Sequence, residues 1–132
     1  MYNYSGRGNN SGPASDLYPM SASVASSPAV LITGTTAAAQ TTAHTCDAKA
    51  WDMPYMIISN VGAASVTVFG QIGSTATTGQ RQWTINSGAF TTAYSYDVAM
   101  SNSGIFGFWA TATAGIYVTG VVSRIFTSSG AP

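Results

Sequence analysis

The stretch ASVTVFGQIGSTATTGQRQWTIN, residues 64 to 86, alternates apolar and polar side chains on either side of a loop of Gly, Ser and Thr. In an extended chain, side chains repeat every two residues, so Val66, Val68 and Ile72 share one face with Gly70 between them. Ser65, Thr67, Phe69 and Gln71 share the other. The first set is a core face. On the second, Thr stands where a half-solvated strand usually carries Lys or Glu, and Arg81 is the one charge in the stretch. Thr favours a strand and loses little side-chain entropy when it is covered. This pattern leads us to expect an outer face that another subunit buries.

Further runs of this kind surround the first. Residues 28–33, 41–47, 54–60, 64–72, 80–86, 90–96, 105–111 and 115–127 are rich in β-branched and aromatic residues, and Gly, Asn, Asp and Ser clusters separate them. Such spacing predicts an all-β domain: an antiparallel β-sandwich or jelly-roll-like barrel of about eight strands. The best helical candidate, TAAAQTTA at 36–43, is short and poorly capped. In the last run, Ile116, Val118, Val122 and Phe126 line one side and Tyr117, Val121 and Ile125 the other. Two apolar sides suit a strand covered from both directions.

Residues 1–27 form a different compositional block, dominated by Gly, Ser, Asn, Pro and Ala. We expect an extended N-terminal arm there and the sandwich domain at 28–132. Extended, such an arm reaches up to about 90 Å, and its spaced anchors are Tyr2, Tyr4, Leu17, Tyr18 and Met20. The arm either crosses to a neighbouring subunit or folds back on its own domain.

The chain has 132 residues, and its charged residues are Arg7, Asp16, Asp47, Lys49, Asp52, Arg81, Asp97 and Arg124. That is 6% of the chain, with no Glu, against about 25% in an average domain. Four scattered cations make no footprint for a phosphate backbone, so no nucleic-acid partner is expected. No run approaches the length of a membrane-spanning helix, and the first residues lack the apolar stretch of a secretory leader. We therefore expect synthesis in a host cytoplasm, no membrane partner, and a surface covered largely by other protein.

Catalysis needs groups that titrate or attack. The only cluster is AHTCDAKAWD, residues 43–52, where His44 and Cys46 share a face of an extended strand and Asp47 or Asp52 lies near. It lacks the second ligand pair of a structural zinc site and any orienting partner for a nucleophile. The reading is therefore no enzyme, no catalytic residue, no metal and no cofactor. His44 then serves as a half-buried histidine, Cys46 as a small apolar residue, and Asp47, Lys49 and Asp52 as a turn with one ion pair. Among the aromatics, Trp109 within IFGFWA suits the core, while Trp51 beside charges and a turn is the best candidate for exposure at an interface or a sugar platform.

YMIISNVGAASVTVFGQIGSTATTGQRQWTIN, closed by GIYVTGVVSRI, resembles the small β-sandwich virion proteins of tailed bacteriophages. The likeness rests on a V-x-V-x-G strand, a Ser/Gly/Thr loop, a Trp-bearing strand and a final strand with an Arg. Val66, Val68, Gly70, Trp83 and Arg124 hold those places over roughly residues 54 to 126, and the Asp-Gly usual in the loop is missing. What the resemblance implies is a capsid decoration (cement) protein on the virion exterior, bound to the major capsid protein and to copies of itself. A homo-oligomer follows, with a trimer favoured. The alternative is a phage tail, fibre or spike component that binds a receptor or carbohydrate.

Overall fold

The computed structural model describes residues 14–24, 26–73 and 80–126. Tyr2, Tyr4 and most of the 73–79 loop tip lie outside them. The strands are β1 (Ala14–Pro19), β2 (Val30–Leu31), β3 (Thr41–Thr45), β4 (Trp51–Asn60), β5 (Val66–Gly73), β6 (Arg81–Ile85), β7 (Phe90–Ser95), β8 (Ile105–Ala110) and β9 (Ile116–Phe126). Among the described residues there is no α-helix. The 36–43 candidate reduces to a 3-10 turn at Ala37–Ala39, with Thr36 Oγ1 accepting from the Ala39 N–H, before β3 begins.

Two antiparallel sheets pack face to face. One runs β1-β9-β4-β7, with β2 also paired to β9; the other runs β3-β8-β5-β6. Because β1 and β2 lie in turn along β9, at Val121–Phe126 and at Tyr117–Val118, they act as one interrupted strand. Counted so, the strand order in both sheets is that of a jelly roll: the chain passes from sheet to sheet at every connection except β5 to β6. The expected strands are present, and one more is added. β1 arises inside the block read as an arm, and it pairs with the chain's own β9 from Ala14↔Phe126 to Pro19↔Val121.

Burial follows the two-residue period. β4 alternates without a break along all ten residues, with Asp52, Pro54, Met56, Ile58 and Asn60 inside. Met56 and Ile58 join Val66, Val68, Ile85, Phe106, Phe108, Ile116 and Val118 in the core between the sheets. Tyr94 centres an aromatic cluster, edge-on to Phe106 at 5.4 Å, to Trp83 at 6.0 Å and to Phe108 at 6.2 Å. Gly70 makes room for it, since a Cβ there would stand 2.8 Å from both the Trp83 ring and the Tyr94 hydroxyl. The V-x-V-x-G pattern is thus a packing requirement.

The segment Asp52-Met53-Pro54, which looks like a turn, belongs to β4. Its Pro is tolerated because Pro54 O accepts from Tyr96 N–H. N and O of a strand residue point to one side, and on that side the regular ladder to β7 stops at Tyr55↔Ser95.

Candidate functional site

Two features carry chemistry. The first is a buried polar network at one end of the sandwich. Asp52, fully enclosed, receives His44 Nε2 at 2.7 Å, Arg124 Nε at 2.8 Å, Arg124 Nη2 at 3.0 Å and the Asp47 N–H at 3.1 Å. His44 Nδ1 accepts the Ser21 N–H at 3.0 Å, so the ring proton sits on Nε2 and is donated to Asp52. Burial alone pushes the Asp52 carboxyl up, but the bonds from Arg124, His44 and Asp47 outweigh it and hold the group below its ordinary value. Arg124 is raised in turn, first by its bonds to Asp52.

Cys46 lies beside this network. His44, Cys46 and Asp52 each offer one ligand atom, all within 4.8 Å of one another. Both nitrogens of His44 and the Asp52 carboxylate are already engaged, and the Arg124 cation stands where a metal ion would have to be tolerated. Burial, reinforced by the Asp52 charge, pushes the Cys46 thiol up to about 12, far from the thiolate that attacks or ligates. The geometry suits a structural clasp. It joins β3 of one sheet to β4 and β9 of the other, and it seizes the N-terminal segment twice: through Ser21, and through the Tyr18 ring, over which the Arg124 guanidinium lies at 4.3 Å.

That clasp corrects three sequence expectations. Asp52 is an interior strand residue and not part of a turn, because its side chain has three partners inside. His44 is fully buried, since the Asp52 carboxylate and the Ser21 N–H satisfy both ring nitrogens. Met20, expected as an interface anchor of the arm, fills the chain's own core, and Tyr18 turns inward to Arg124.

The second feature is the outer face of the five-stranded sheet. Its rows follow from the register. Leu17, Ser123 and Met53 form one; Pro19, Val121, Tyr55 and Ser95 the next. Thr119, Ile57 and Thr92 come third, then Leu31, Tyr117, Ser59 and Phe90. Trp51, half-buried, lies at the other end beside Ile125. No charged residue occupies any of these positions. Leu17 is 67% exposed, Phe90 72%, Leu31 44%, and Tyr96, 42% exposed, meets the Tyr55 ring at 5.5 Å.

Of the residues singled out from sequence, this face brings together Leu17 and Trp51. Sequence reasoning did mark Tyr117, Val121 and Ile125 as a second apolar side of the last strand. It missed Met53, Ile57, Leu31 and Phe90, because the run Tyr55-Met56-Ile57-Ile58 is apolar on both sides and its sequence does not say which side faces out. The face of the opening hairpin is the more polar one. There Phe69 stacks on the buried Trp109 at 5.2 Å, away from the core cluster, and Thr111 of the same chain bonds to the Thr67 backbone.

No family model, no curated protein and no solved structure matches this chain.

Proposed function

We propose that the chain is a structural virion protein of the capsid decoration type, which stabilises a shell by binding between its subunits. The observation that carries this reading is the charge-free outer face of the five-stranded sheet. Contiguous exposed apolar patches beyond a few hundred square ångströms mark places where protein meets protein. A face of Thr, Ser, Val, Ile and Tyr is covered without stranding an ion. The jelly-roll order supports the reading by analogy, because viral capsid domains use it, although lectins do too. Copies that bind the assembled shell better than free subunits stabilise it by linkage.

Quantitative mass spectrometry of gradient-purified particles, from a host expressing the chain with its neighbouring virion genes, tests this. The expected result is retention of the chain at a fixed ratio to the major shell protein, with particles that lack it disrupting at lower temperature. Loss of the chain during purification, with unchanged particle stability, overturns the proposal.

A further inference from the structure

We infer that the outer face of the five-stranded sheet packs against the same face of a second copy of this chain, as a two-fold, back-to-back pair. The inference rests on the reading of that face as an interface and names its occupant.

Three observations point to a second copy. The first is charge. In a two-fold contact a patch meets itself, so every charge near the axis meets its own kind. The rows from Leu17 to Phe90 hold none, and their polar members are hydroxyls, which both donate and accept. A partner recognised by charge would find nothing here to complement.

The second is size. The five strands hold 35 residues, each covering about 3.4 Å by about 4.8 Å of sheet. That footprint of roughly 570 Å², before the relief of the side chains is added, approaches the about 800 Å² per partner of a standard stable interface. The third is shape. Twisted sheet faces pack on one another about 10 Å apart, with strands about 30° from parallel. The centre of this face holds Val121, Tyr55 and Ile57, and two strongly exposed apolar side chains, Leu17 and Phe90, stand at opposite corners. Pairing of this kind favours a two-fold over a three-fold assembly. It leaves the outer face of the four-stranded sheet and the loops for other partners.

Sedimentation velocity on the full chain and on Val121→Lys, Ile57→Glu and Thr84→Glu tests the pairing. Thr84 lies exposed on the outer face of the other sheet and serves as the control. The expected result is twice the 13.5 kDa chain mass for the parent and for Thr84→Glu. Val121→Lys and Ile57→Glu are each expected to weaken dimerisation about tenfold or more, with unchanged circular dichroism. A parent that stays monomeric up to about 100 μM, well above the micromolar range of weak specific contacts, overturns the pairing. So does a trimeric mass, or a dimer that both substitutions leave intact. The particle assay separates the two readings: a monomer retained on particles sinks only the pairing, and a dimer absent from particles sinks only the virion role.

Discussion

Arg124 of β9 stands opposite Asp52 of β4, and its guanidinium grips the carboxylate through two hydrogen bonds, Nε to Oδ1 at 2.8 Å and Nη2 to Oδ2 at 3.0 Å. Asp52 is enclosed and Arg124 is 17% exposed, and His44 completes the site from the other sheet. Breaking a buried pair by removing one partner leaves an uncompensated charge, which costs about 3–5 kcal/mol. Asp52→Asn is therefore expected to lose about 3 kcal/mol in urea unfolding. Arg124→Lys, which keeps the charge but not the planar fork, should lose less. If both variants unfold with the parent, the clasp is not structural.

The same pair sets an acid limit. The folded-state value of Asp52 is lowered, so its stabilisation is fully present above the unfolded-state value, about 3.9. It is lost as pH falls through the folded-state value. Melting temperature is expected to drop on acidification below about pH 4, with a flatter profile in Asp52→Asn. Asp97 is also lowered, by Arg81 at 2.8 Å, but it is nearly half exposed and screened by solvent. Asp97→Asn should keep most of the acid slope, and an equal flattening in both variants would refute the assignment to Asp52.

Met20 and Leu17 make an internal comparison within one segment. Met20 is sealed in the core and Leu17 points out. Met20→Ala is expected to cost about 2–5 kcal/mol, and Leu17→Ala to stay within about 0.5 kcal/mol. Equal effects in chemical denaturation would show that residues 14–20 do not dock as described.

Gly70 faces the Trp83 and Tyr94 rings with no room for a Cβ. Gly70→Ala should destabilise by about 1–3 kcal/mol through overpacking, and the near-ultraviolet dichroism of the aromatic cluster should weaken. A neutral substitution would mean that the rings move aside freely.

Cys46, with its thiol raised to about 12 and its side chain enclosed, should resist a thiol reagent at pH 8 until the protein unfolds. Labelling rates measured across a urea series are expected to track global unfolding. Fast labelling of the native chain would contradict its burial.

The all-β class was legible from residues 28 to 127, because a two-residue period with Val, Ile, Thr and aromatics suits only strands. Both apolar sides of β9 were visible for the same reason. β1 was not visible. ASDLYP has one strong apolar residue pointing outward, and it forms a strand because the edge of β9 offers it hydrogen bonds and Arg124 offers Tyr18 a cation.

The clasp was hidden more deeply. Its members, at 21, 44, 52 and 124, have no local periodicity in common and meet only where β3, β4 and β9 end together. Alternation along a strand is a short-range property, so period and composition alone specify strands and a surface short of charge. Which faces turn inward, which side chain satisfies a buried carboxylate, and that the apolar rows join into one open face are set by pairing between strands far apart in the chain. The sheet register supplies what no local pattern contains.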